Sequence, residues 1–169
     1  MIETIARRRR SLNLAGAGLC AALVAFAIYL QFGMQMEPCP LCIFQRLVFV
    51  AMAAVFLVAG LHAPRRGGRY GYAGAFVLTG AVGVALSGRH IYLQSLPPDQ
   101  VPACGPGLEY MLDVLPVMET IQQVLMGSGE CAEVDRVLGV SIPLWTLLAF
   151  LALTVAALAI NLARPPANR

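Results

Sequence analysis

The sequence predicts an all-α membrane protein: a four-helix transmembrane bundle with a short amphipathic helix in its second outer loop. Three observations carry that reading. Of 169 residues, 59% are hydrophobic and 12% charged, with a mean hydropathy of +0.73; a soluble domain is about half apolar and a quarter charged. Four apolar runs are each long enough to cross about 30 Å of hydrocarbon as a helix of roughly 20 residues. The charges cluster beside those runs: all twelve basic residues are Arg, with a net charge of +3. Arginines at the ends of apolar runs encode topology rather than a phosphate groove, so no nucleic-acid partner is expected and membrane lipid is.

The first span covers residues 12–31. Arg7, Arg8, Arg9 and Arg10 precede it, and Ala25-Phe26-Ala27 imitates a signal-peptide cleavage site. The apolar run continues through Ile28, Tyr29 and Leu30, so an uncleaved helix is expected. The second span, 41–61, follows Pro40, a residue favoured at a helix start. The third, 71–88, carries Gly71, Gly74, Gly80, Gly83 and Gly88 among alanines; small residues let helix backbones approach closely, which predicts compact packing. In the long loop, 89–142, Leu108, Met111, Leu112, Leu115, Ile121, Val124 and Leu125 recur at helical spacing around Glu109, Asp113 and Glu119. That pattern predicts an amphipathic helix on the membrane surface, broken near Pro116; an apolar lid on the bundle accounts for it equally well. Turn residues flank it, among them Gly127-Ser128-Gly129. The fourth span covers 143–163, and residues 1–169 read as a single integral membrane domain.

Charge then orients the bundle. Arg7 to Arg10, the Arg65, Arg66 and Arg69 turn, and the Arg164 and Arg169 tail hold nine of the twelve arginines. With four spans, all three clusters fall on one side, which the positive-inside rule makes cytoplasmic. Both termini are therefore expected in the cytoplasm, and loops 32–40 and 89–142, which hold eight of the nine acids, in the periplasm. Tyr29, Tyr70, Tyr72, Tyr92 and Trp145 stand near the span ends, where interfacial aromatics belong.

Five cysteines remain. Cys20, mid-span, reads as an ordinary buried thiol. Cys39 and Cys42 form Pro38-Cys39-Pro40-Leu41-Cys42 at the mouth of the second span, and Cys104 and Cys131 lie in the long loop. An oxidising compartment permits disulfides there, and an even number suggests pairs. Zinc is disfavoured, because neither a second close pair nor a histidine ligand is evident to complete a tetrahedral set; no metal is expected. Haem attachment would need His after Cys42, where Ile43 stands. A static C-x-x-C disulfide closes too short a ring to stabilise much by chain entropy. A redox role suits the pair better, since a helix N-terminus favours a thiolate. Arg46 shares the face of Cys42 one turn deeper. A guanidinium inside a span is costly without a polar partner or a function. Arg46 could stabilise a Cys42 thiolate or bind the carbonyl of a lipid-soluble acceptor, while snorkelling to the interface is the plainer alternative.

At Pro38-Cys39-Pro40-Leu41-Cys42-Ile43-Phe44-Gln45-Arg46 the chain closely resembles the DsbB family of bacterial disulfide-bond-formation oxidases. The likeness extends over the whole chain, from the short first loop with its C-x-x-C to the two separated cysteines of the second. His90-Ile91-Tyr92-Leu93-Gln94 resembles the family's stretch near its quinone. The resemblance implies a protein-dithiol:quinone oxidoreductase of the bacterial inner membrane. A reduced DsbA-like partner would attack a Cys104–Cys131 disulfide, most readily at Cys104. Electrons would pass to Cys39 and Cys42, and Cys42 would meet a ubiquinone or menaquinone, by adduct or charge-transfer contact, beside Arg46 and His90. Cys39, Cys42, Cys104 and Cys131 are thus the expected catalytic residues, and Arg46 and His90 the expected quinone-binding ones. The rivals are a four-helix transporter or scaffold with static disulfides, a paralogue serving another thiol donor, and an enzyme like vitamin K epoxide reductase. The last places its C-x-x-C at a later span.

Overall fold

A computed structural model describes residues 8–62, 67–97, 99–105 and 107–163. Arg7, Arg65, Arg66, Arg164 and Arg169, on which much of the predicted orientation rests, lie outside the described residues. Four helices among the described residues are long and apolar enough to cross a membrane. They are α1 (Arg9–Gly33), α2 (Pro40–His62), α3 (Gly68–Gln94) and, last in the chain, α6 (Ile142–Leu162). Between α3 and α6 come α4 (Leu108–Val114), α5 (Val117–Met126), a 3₁₀ turn (Gly129–Ala132) and a two-stranded hairpin, β1 (Arg136–Val137) and β2 (Val140–Ser141). The expected four-helix bundle is present. The amphipathic segment of the second loop is broken at Pro116, as its sequence predicts, into two helices: Pro116 lacks the N–H an unbroken helix would need and forces Leu115 into extended backbone.

In the bundle, α1 lies along α2, α2 along α3 and α3 along α6, and α1 touches α6 to close the ring. The centre is aromatic: Phe49 stacks on Phe150 with ring centroids 4.0 Å apart, and Phe56 meets Phe76 at 4.3 Å. Cys20 is completely buried in this cluster, as a small apolar residue in a helix interface should be. Two of the five glycines predicted to pack closely, Gly80 and Gly83, serve the close approach expected of them. A Cβ on Gly83 would strike the Phe150 ring, and one on Gly80 the Thr154 side chain. Gly71, Gly74 and Gly88 face open space, so close packing does not account for them.

A second apolar cluster sits above the first and ties the long loop to the bundle. It contains Cys39, Leu41, Leu86, Leu93, Met111, Val124 and Cys131. Arg89, on α3, donates to the carbonyls of Leu125 (3.0 Å) and Met126 (2.8 Å), closing the last turn of α5. Gly127 then turns the chain at φ +86° with Leu93 packed against it, where a side chain would fit neither the backbone nor the space. Gln94 Nε2 donates to Glu133 O at 2.9 Å beyond the 3₁₀ turn. Together these contacts hold the 3₁₀ turn over the mouth of α2.

Candidate active site

Pro40 opens α2. Cys39 therefore stands just before the helix and Cys42 in its first turn, with the two sulfurs 3.5 Å apart. Their burial differs: Cys39 is 7% exposed, whereas Cys42 is only half-buried. All five cysteines are free thiols.

The long-loop cysteines differ more sharply. Cys131 is fully buried, Cys104 exposed. The 3₁₀ turn packs Cys131 into one apolar cluster with Cys39 and Leu41. Contact with Cys39, then burial, then the charge of an ionised Cys39 push the Cys131 thiol well above the ordinary thiol range. Cys104 is held beside this turn from outside. Gly129 N donates to Ala103 O at 3.3 Å, and a Cβ on Gly129 would sit only 3.0 Å from the Cys104 sulfur. The four sequence-predicted cysteines are thus gathered at the mouth of α2: Cys131 and Cys39 buried, Cys42 half-buried and Cys104 exposed.

His90 joins them from α3. The third span runs on to Gln94 instead of ending at residue 88, so His90 is a helical residue, 3% exposed, with Nε2 3.8 Å from the Cys39 sulfur. Its ligand atom and those of Cys39 and Cys42 all lie within 4.8 Å of one another. Sequence spacing put no histidine near the pair, and here the structure differs. Fifty-one residues separate His90 from Cys39 in sequence, and only the packing of α3 on α2 joins them.

Arg46 points towards α1, donating to Gln31 Oε1 at 2.5 Å and to the Ala27 carbonyl at 3.1 Å. A charge one turn inside a span is thereby given two acceptors on the neighbouring helix, an arrangement unlike free snorkelling. Next to it, Gln45 points the other way and receives a hydrogen bond from Thr146 of α6 at 3.2 Å.

These residues border one cavity of about 670 Å³, within the range of small-molecule sites. Cys39, Cys42, Gln45, Arg46 and His90 line it, with Leu23, Leu30, Phe49 and Ala149 as apolar walls. Two buried polar atoms there have no partner, Gln45 Nε2 and His90 Nδ1. An unpaired buried donor or acceptor costs on the order of 1–3 kcal/mol, so a ligand offering complementary oxygens is favoured. Sequence reasoning missed Gln45, whose role depends on a neighbour 101 residues away.

Comparison with known proteins identifies the family. The family model for disulfide bond formation protein DsbB matches residues 9–160. Disulfide bond formation protein B of Nitrosococcus oceani is 53% identical over 144 residues, 85% of each chain. That of Hahella chejuensis is 53% identical over 135 residues, 79% of this chain and 82% of its own, and that of Methylococcus capsulatus 47% over 145 residues, 85% and 88%. With a family match from the first transmembrane helix to the last and relatives of this closeness, the chain belongs to the DsbB family of membrane proteins that form disulfide bonds.

Proposed function

We propose that this protein is a thiol oxidase of the bacterial inner membrane, a protein-dithiol:quinone oxidoreductase. It reoxidises a DsbA-like periplasmic dithiol and delivers the electrons to a membrane quinone, ubiquinone or menaquinone. Residues 1–169 act as one integral membrane domain with both termini cytoplasmic. The observation that carries this reading is the gathering of four cysteines at the mouth of α2, with Cys104 exposed beside the turn that holds buried Cys131, and Cys39 and Cys42 on the cavity.

The order of exchange follows from exposure. A soluble protein can reach only Cys104, so the partner's thiolate attacks that sulfur of a Cys104–Cys131 disulfide. A mixed disulfide forms at Cys104 and the electron pair leaves on Cys131. Cys131, against Cys39, attacks the Cys39–Cys42 disulfide at Cys39 and releases Cys42 on the cavity side. The partner's second thiol displaces Cys104, which recovers Cys131 from Cys39 and leaves Cys39 and Cys42 as the reduced pair. The partner has then lost two electrons and two protons, and the C-x-x-C has gained them.

A bound quinone supplies the two-electron, two-proton acceptor that returns the C-x-x-C to its disulfide. The cavity suits it: apolar walls for the ring, with Arg46, Gln45 and His90 as the polar residues on its lining. Arg46, held by α1, offers fixed N–H groups and positive charge. His90 is placed to hold or release a proton at the Cys39 sulfur.

Trapping tests the order. With a reduced DsbA-type partner that lacks its second cysteine, the oxidised protein should accumulate a disulfide-linked complex at Cys104, because no thiol is left to displace it, and the quinone should stay oxidised. Complexes forming instead through Cys39, with Cys104→Ser still active, would refute the sequence of steps.

A further inference from the structure

The sequence offers no histidine to the C-x-x-C, but the fold does. His90 is 3% exposed and sparsely partnered: Nε2 lies 3.8 Å from the Cys39 Sγ, and Nδ1 has no partner among the described residues. The two sulfurs are 3.5 Å apart, and all three donor atoms lie within 4.8 Å of one another. A tetrahedral zinc ion, with bonds of about 2.3 Å to sulfur and about 2.0 Å to nitrogen, sets its ligand atoms roughly 3.5–3.8 Å apart. Two edges of the group lie in that range. Cys42, half-buried on the cavity, closes the third by a small rotation of its side chain. Charge fits as well. Two thiolates and a neutral imidazole cancel a divalent cation, so the complex brings no net charge into a buried site, where a lone ion is costly. The carboxylates of Glu37, Glu130, Glu133 and Asp135 border the same cavity, and Arg46 is the one arginine on its lining. That excess of negative charge draws cations inward.

We propose that the reduced Cys39 and Cys42, together with His90, bind one thiophilic divalent cation, zinc by preference, with water from the cavity in the fourth position. Binding forms two metal–sulfur bonds and one metal–nitrogen bond and releases the two thiol protons to solvent; nothing is oxidised or reduced. A Cys39–Cys42 disulfide has no thiolate to offer, so the site exists only in the reduced state. The metal therefore holds the pair reduced and blocks its return to the disulfide. The site itself is independent of the oxidase reading, whereas the block rests on it.

The test uses the purified full-length protein in detergent, reduced and kept free of oxygen, with Co²⁺ as the spectroscopic probe and Zn²⁺ as its competitor. One Co²⁺ per chain should bind, with the visible bands of a tetrahedral ion and a thiolate charge-transfer band, and Zn²⁺ should displace it. Cys39→Ser and Cys42→Ser should each lose the charge-transfer spectrum. His90→Asn should weaken binding at least about tenfold, since even residues that only support a ligand matter that much. The double variant Cys104→Ser with Cys131→Ser should bind as the wild type does. Wild type carrying the Cys39–Cys42 disulfide should not bind, a comparison that needs no substitution. A reduced wild type without the tetrahedral spectrum would overturn the proposal, as would binding that survives oxidation or is unchanged in His90→Asn. In the quinone assay, Zn²⁺ should stop turnover and a chelator restore it; full turnover with zinc bound would overturn the block. A protein that binds zinc but never reduces quinone would keep the site while the oxidase reading falls.

Discussion

Among individual residues, the chemistry is divided by exposure and contact rather than by residue type, since the four working groups are all thiols. Cys131 illustrates this. It is buried, and its thiol is pushed upward by Cys39 and by the loss of solvent. Alkylation requires the thiolate, and a raised pKa keeps the protonated form to higher pH. In the fully reduced protein, iodoacetamide at a pH of about 8.5, the ordinary thiol value, should label Cys104 quickly and Cys131 slowly. Labelling of Cys131 should accelerate only as the pH climbs further, and Cys39→Ala, which removes the first cause of the shift, should speed it at fixed pH. Mass spectrometry of timed samples decides; equal rates at Cys104 and Cys131 would contradict the burial. Arg46 allows a second prediction. Lys keeps the charge but not the planar fork that spans Gln31 and Ala27, so Arg46→Lys should raise the KM for quinone at least several-fold. Cys39, Cys42 and Arg46 were legible from the spacing of one short motif, because a helix start and one turn are local geometry. The contacts of His90 and Gln45 were not, since each depends on a helix far away in sequence.

Among the elements, the spans were legible from hydropathy, and only the end of the third was not. Residues 89–94 look like loop by composition, with Arg, His and Gln among them, yet α3 continues to Gln94. Its last turns are covered by the loop cluster rather than by lipid: Leu93 is buried in that cluster, and Arg89 is engaged by α5. The same extension carries His90 to Cys39. The α3 glycines give the sharpest prediction here. Gly83→Ala would drive a Cβ into Phe150, which is fully buried and stacks on Phe49; such overpacking costs about 1–3 kcal/mol. Gly74→Ala meets open space and should be neutral or slightly stabilising through helix propensity. Unfolding of the two variants in detergent by mild denaturant measures the difference, and equal stability would mean that α3 and α6 are not so closely packed.

In the molecule as a whole, the two ends of the bundle are held by different means. At one end the loop cluster and the four gathered cysteines lie at the mouth of α2. At the other, Asn13 of α1 and Asn161 of α6, both fully buried, exchange reciprocal amide hydrogen bonds of 3.3 and 3.1 Å. Arg9 beside them donates to the carbonyls of Ile160 (3.2 Å) and Ala163 (2.6 Å), capping α6. This clasp joins residues 148 positions apart, so two asparagines in apolar runs gave no hint of it. Asn161→Ala should cost about 1–2 kcal/mol by leaving Asn13 Oδ1 without a donor in hydrocarbon, Nδ2 keeping its bond to the Arg9 carbonyl. Asn13→Leu with Asn161→Leu should recover part of that loss in a double-mutant cycle; additive losses would show that the two amides do not interact.

The measurement that bears most directly on the oxidase mechanism is quinone reduction by the purified protein, followed by quinone absorbance, with a reduced DsbA-type partner as electron donor. The wild type should turn over, and Cys39→Ser, Cys42→Ser, Cys104→Ser and Cys131→Ser should each stop it. A wild type silent with both ubiquinone and menaquinone, its cysteines unchanged in redox state, would contradict the oxidase and leave four static thiols in a membrane scaffold.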